Sequence, residues 1–284
     1  MAALVKRNIK LYLQNRVGVL MSLLGALISF FIYIGFLQKN MATSWGTLPH
    51  VHQALDAWVI GGILAITGIT TAFAVSGQLV SDREKNIDWD LQMTALTPTR
   101  ITITYLASTA IVSFFMQVIM LIIMSGYFYW QDRLVINLSA NFPQLFLITL
   151  LNTLFATSCC QLIVTFIRQH TVYSRVAALV GTLTGFLVAT YMPLGVLSHG
   201  MQRLVKLFPG SYIAAAYRQV LMKDFVNNDF PRAIRQQLID FLGIRLTIHQ
   251  HLLNLNDELT RVIEGIMASL ILLIAIDHLK YRQN

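Results

Sequence analysis

The sequence predicts an all-α polytopic membrane protein with six transmembrane helices, and two observations carry that prediction. The first is a series of long apolar runs. Residues 57–81 and 101–131, for example, contain no Asp, Glu, Lys or Arg. A bilayer core of ~30 Å is crossed by about 20 apolar helical residues, so each run is long enough to span it. The second is composition: of 284 residues 56% are hydrophobic and 12% charged, with mean hydropathy +0.62. A soluble domain carries about 25% charged residues. The net charge of +8 lies in the flanks of the apolar runs, which speaks of topology and not of a nucleic-acid stripe. Cys159 and Cys160 are neighbours in an apolar run and point apart on a helix, so no disulfide framework is expected.

Residues 1–16 carry Lys6, Arg7, Lys10 and Arg16, with Val5, Ile9 and Tyr12 at helical spacing opposite much of that charge. The pattern fits an amphipathic helix on an anionic inner leaflet, and equally a basic flank that orients the first span. The first span is 17–37, followed by a polar loop over 38–56. The second, 57–81, is rich in Gly61, Gly62, Gly68, Thr70 and Thr71, small residues that let helices approach closely in lipid. The third, 101–131, ends in Tyr127, Phe128, Tyr129 and Trp130, a cluster suited to the water–lipid boundary. After a short loop come the fourth span, 144–167, a basic turn, 168–175, and the fifth span, 176–198, with Pro193 and Gly195 near its far end. The sixth, 259–279, has an uncharged centre over 265–276 and places Arg261, Glu264 and Asp277 at the interfaces.

Orientation follows from Lys and Arg in the short flanks. Lys6, Arg7, Lys10 and Arg16, then Arg83, Lys85 and Arg100, then Arg168 and Arg175, and finally Lys280 and Arg282 fall on one side; the short loops opposite hold Lys39 and Arg133. Both termini and the turn over 81–100 are therefore expected in the cytoplasm, and 201–260 outside. Within that outer segment, 204–222 is broken by Pro209 and Gly210, which fits a re-entrant hairpin of half-helices or a helix on the outer surface. Residues 223–258 read as a small outward-facing lobe, and 261–284 as the last span with a cytoplasmic tail.

The turn over 81–100, SDREKNIDWDLQMTALTPTR, is the one crowded patch of charge between two spans. It reads as a short helix over 82–97, with Asp82 as N-cap, Glu84 and Asp88 early and Pro98 as the stop. Trp89, Met93 and Leu96 fall at i, i+4 and i+7 and share one face. That face suits a protein partner; the alternative is anchoring on the membrane surface.

Several chemistries lack their residues. There is no G-x-x-x-x-G-K-[ST] loop for a nucleotide, no G-x-S-x-G elbow and no H-E-x-x-H helix. His249 and His251 with Asp257 and Glu258, or His50 with His52, lack a third ligand at a diagnostic spacing, so no metal site is expected. The spans hold no paired acids near their middles, which argues against a proton- or sodium-coupled carrier.

Two strings resemble the ATP-binding-cassette type 2 permease family. Asp82-Arg83-Glu84-Lys85, with Leu91, Leu96, Thr97 and Pro98, is similar to the family's RE-x-G…L…L…TP string after the second span, with Asn86 in place of the usual glycine. Phe208-Pro209-Gly210-Ser211-Tyr212, continuing through Tyr217-Arg218-Gln219-Val220-Leu221, is similar to its P-x-x-Y…R…L string after the fifth. The resemblance implies the permease subunit of an ATP-driven exporter in the bacterial cytoplasmic membrane, dimeric with an identical or related permease. ATP and Mg would be bound by a separate ATPase subunit, and this chain would hold no cofactor. Docking would fall to Trp89, Met93, Leu96 and Pro98, with Arg83, Glu84 and Lys85 as charge contacts or as a solvated turn. Pro209, Gly210, Tyr212 and Arg218 would form an outer gate, or a packed lid without a gating role. An amphiphilic drug, peptide or lipid-like substrate is expected. The rival readings are a membrane scaffold or sensor that does not transport, and an enzyme with an outer-face site.

Overall fold

The computed structural model describes the chain except residues 46–48, 94–96, 137, 249–250 and 284. The side chains of Ser44, Asp88, Trp89, Gln92, Pro98, Leu138, Ser139 and residues 277–283 also lie outside the description. The architecture is a helical bundle wrapped around α5, Val51–Glu84. Of the most apolar 18-residue window of α5, 94% is buried, against 39% for α7 (Pro98–Asp132) and 22% for α14 (Leu255–Gln283). The second span is thus the axis, and α7, α8 (Leu138–Thr165) and α9 (His170–Leu187) pack around it. Its glycines serve the close packing that the sequence predicts: a Cβ at Gly62 would collide with Thr190, and one at Gly68 with Asn152.

Around this axis the first segments wind in pieces. The basic N-terminal segment forms helix α1, Ala2–Gln14. Asn15 then breaks the chain, its side chain accepting from Gly18 N–H at 2.9 Å to start α2, Arg16–Ser22. The first long apolar helical stretch accordingly runs over Leu24–Thr43, not 17–37. It comprises α3, Leu24–Ile32, a π-helical turn, Tyr33–Leu37, and α4, Gln38–Ser44. The expected loop over 38–56 is therefore largely helical. Gln38 explains part of this: its amide bonds the carboxylates of Asp56 at 3.0 Å and Asp132 at 2.9 Å, which holds α4 against α5 and α7.

Five helical stretches are long and apolar enough to cross a membrane: Leu24–Thr43, Val51–Glu84, Thr99–Asp132, Ala140–Thr165 and Leu255–Ile276. The expected fifth span, 176–198, is not one helix. Helix α9 stops at Leu187 and caps with Val188; Thr190 N–H then returns to Gly185 O at 3.0 Å, and Ala189 sits at φ +51. A left-handed alanine costs about 1–2 kcal/mol, so something must hold it there. Beyond Pro193 the chain makes a 3-10 turn, Leu194–Val196, packed under α13 (Arg235–Leu242). It then enters α10, His199–Leu207, and α11, Pro209–Leu221.

These two helices make up the stretch 204–222. Phe208 at their junction meets the Phe155 ring of α8 at 5.9 Å; a Cβ on Gly210 would touch Ile69, and one on Gly265 would touch Pro209. At the other end of α11, Arg218 lies over Trp58. Ile69 and Trp58 are separated by roughly 16 Å along α5 at 1.5 Å per residue. So α11 runs alongside α5 between these two levels, and α10 and α11 form a helical hairpin with its bend at Phe208. Beyond it lie α12 (Lys223–Asn228), α13 and a two-stranded antiparallel ribbon, β1 (Thr247–Ile248) with β2 (His251–Leu252), before α14.

Candidate functional site

At one end of the bundle, the turn after α5 is built differently from the sequence expectation. Asp82 is not an N-cap, because α5 runs on through it to Glu84 and ends at Lys85. Asn86 then takes φ +57, and α6 occupies Ile87–Gln92; residues 94–96 of the expected helix lie outside the described residues. Asparagine is the non-glycine residue that best tolerates this left-handed region, so Asn86 can fill the place the related string gives to glycine.

Asp82 is buried and is the hub of this end. The Arg7 guanidinium donates two parallel bonds to its carboxylate at 2.8 and 2.9 Å, Gln78 donates at 2.8 Å, and the Tyr105 hydroxyl at 2.5 Å. The bond to Asp82 pushes the Arg7 pKa still higher, so the guanidinium stays charged. Through this pair α1 is locked to α5 and α7. A second clamp is Arg83, whose Nη1 lies 3.3–3.5 Å from the carbonyls of Val164, Thr165 and Ile167. Val164 and Thr165 close α8 and Ile167 follows it, so these carbonyls lie at a helix C-terminus, which favours positive charge. Arg83 thus points into the bundle, while Glu84 and Lys85 are exposed. Met93 is 86% exposed; the Trp89 side chain, Leu96 and the Pro98 side chain fall outside the described residues. Pro98 opens α7, capped by Thr97, whose hydroxyl accepts from Arg100 N–H at 3.4 Å. The result is a short helix whose flanking helices are each tied into the bundle.

At the opposite end, α10 and α11 are bound to each other by Ser211, donating to Val205 O at 2.7 Å, and by Tyr212, donating to Lys206 O. Arg218 is fully buried. Its Nη2 donates to Ala189 O at 2.9 Å, its Nη1 to Gly243 O at 3.3 Å and its Nε to Trp58 O at 3.4 Å, with the guanidinium 4.6 Å from the Trp58 ring centroid. One planar cation therefore holds the strained Ala189, the end of α13 and the wall of α5, which the five donors of a guanidinium can do and an ammonium cannot. Tyr217 donates to Thr149 at 2.8 Å beside a buried amide network: Asn152 donates to Gln117 Oε1 at 2.7 Å, and Gln117 to Thr153 at 2.9 Å. These bonds join α11, α8 and α7. All four predicted gate residues, Pro209, Gly210, Tyr212 and Arg218, thus fall in α11.

Sequence reasoning missed several partners in these sites. Asp56, placed in a loop, is buried and accepts from Tyr33 and Gln38, a meeting made by the π-helical turn and announced by no motif. Glu258, grouped with His249 and His251, is buried with its oxygens taken by Gln219 Nε2 at 2.6 Å and Leu246 N–H at 3.0 Å. His249 lies outside the described residues, and among the described residues no group of three His, Cys, Asp or Glu is placed to hold a metal.

The fold, all-α with five helices long and apolar enough to cross a membrane, is that of a polytopic helical membrane protein. Comparison with protein families makes this specific: the chain belongs to the ABC-2 type transporter family, whose model matches residues 1–222. The match runs from α1 to the end of α11, and so includes the turn after α5 and Arg218 with its partners Trp58 and Ala189, but not Gly243. Permeases of this family are the membrane components of transporters, not themselves catalysts. No match is found among curated proteins.

Proposed function

We propose that the chain is the permease subunit of an ATP-driven exporter, docking a separate ATPase on the turn over 81–100. The single observation that carries this reading is the clamped turn within a family-matched chain. A push on α6 would reach α5, then α1 and α7 through Asp82, and α8 through Arg83. The motion would then open or close the hairpin at the far end, where Arg218 ties α11 to α5 and to the break after α9. Two permease chains, identical or related, would enclose the path for an amphiphilic substrate, in a bacterial cytoplasmic membrane with the turn inside. ATP and Mg would sit on the partner.

Co-purification with candidate ATPase subunits tests this, comparing wild type with a Trp89→Ala, Leu96→Arg double variant. The wild type is expected to retain an ATPase and support its membrane-dependent turnover, and the inserted double variant to lose both. Retention by the variant would remove the docking face from these residues. Failure of the wild type to bind any ATPase would overturn the exporter reading in favour of a scaffold.

A further inference from the structure

Helix α10 of the hairpin carries three basic side chains on one face. His199, Arg203 and Lys206 recur at i, i+4 and i+7 along α10 and so share one of its faces. His199 and Arg203 are exposed and Lys206 is half-buried, while Leu204 and Leu207 beside them are 52% and 79% exposed. This helix leads inward from the turn under α13 to Phe208, at the level of Phe155, Ile69 and Gly265. Neither Arg203 nor Lys206 has an acidic partner among the described residues. Glu264, adjacent to the Gly265 that faces Pro209, is already paired with Arg261 at 2.9 Å.

Cations without an acidic partner are strongly disfavoured against acyl chains, and they occur where the side chain meets water or an anion. We infer that the α10 stripe lines the substrate path and that the substrate is an anionic amphiphile. Its acidic head would rest on Arg203 and Lys206, and its apolar part on Leu204 and Leu207. The inference rests on the permease reading for its role in transport, but the binding itself needs no ATPase. An acidic phospholipid headgroup and a soluble anionic amphiphile present the same chemistry, and the probes separate them.

The full chain would be placed in nanodiscs of phosphatidylcholine. Two anionic probes, dodecyl phosphate and a fluorescent phosphatidylglycerol, would each be compared with the matching phosphocholine compound. At least one anionic probe is expected to bind about tenfold more tightly than its counterpart, a difference easily resolved by titration. Response to the phosphatidylglycerol alone assigns the site to a lipid headgroup; response to dodecyl phosphate alone assigns it to a free amphiphile. Arg203→Gln with Lys206→Gln is expected to abolish the preference, and Arg203→Lys with Lys206→Arg to keep it, which separates lost charge from lost folding. Absence of any anionic preference in the wild type, or its survival in the double Gln variant, overturns the inference. Anion preference without ATPase association would strike the exporter reading alone, and ATPase association without anion preference would strike the stripe alone.

Discussion

Asn86 shows how one residue sets the geometry of the docking turn. Its φ of +57 follows the Lys85 cap of α5 and redirects the chain into α6. Glycine adopts that conformation freely, so Asn86→Gly is expected to leave thermal stability within about 1 kcal/mol of wild type. Asn86→Val, β-branched and forced to the same φ, is expected to lose about 1–2 kcal/mol or to relax the turn and weaken ATPase association. Thermal unfolding of the purified chain and ATPase pull-down read the two effects separately. A valine variant as stable and as competent as wild type would mean that the left-handed turn is not required. The position was legible in the sequence only as a departure from a string. The dihedral explains why asparagine can stand there. Asp82 was less legible: its acidity and place before Arg83 read as a cap, and nothing local announces that Arg7, 75 positions earlier, returns to meet it.

At the scale of elements, the long uncharged runs were readable because hydropathy alone decides whether a helix suits a bilayer. Helices α5, α7, α8 and α14 fall near where that pattern places them. The breaks were not readable, because they depend on tertiary partners. The end of α9 is held by Arg218, and the π-helical turn turns Tyr33 towards Asp56. Helix packing itself can be tested through glycine. Gly68→Ala on α5 would drive a methyl into Asn152 and disturb the amide network to Gln117, with an expected loss of about 1–3 kcal/mol. Gly126 on α7 has open space where its Cβ would go, so Gly126→Ala is expected to be neutral or to gain about 0.5–1 kcal/mol from helix propensity. Melting curves of the two single variants in one detergent make the comparison. Equal effects from both would remove the argument that α5 is the packed axis.

For the whole molecule the open quantity is the number of crossings, and parity constrains it. The five long apolar stretches alone would put the two ends of the chain on opposite sides of a membrane. Yet Lys6, Arg7 and Lys10 near one end and Lys280 and Arg282 near the other carry the same inward bias. Both hold together only if the segment between α8 and α14 makes one more net crossing. Helix α9 has 18 residues, a length of about 27 Å, slightly less than the ~30 Å of a bilayer core. The turn at 188–198 extends that reach, and a hairpin that returns to its own side would add none. Helix α9 is therefore expected to be the sixth crossing, a short one completed by irregular backbone that Arg218 and α13 bury. Single cysteines at Lys85, His170, Val196 and Arg232, all exposed, test this in intact cells with an impermeant maleimide. Cys159 and Cys160, half-buried and buried, would first be replaced by serine. Val196→Cys and Arg232→Cys are expected to label from outside, and Lys85→Cys and His170→Cys only after permeabilisation. Labelling of His170→Cys and Val196→Cys from one side would leave five crossings. The C-terminal basic flank would then lie outside, and the hairpin with its cationic stripe would open towards the cytoplasm.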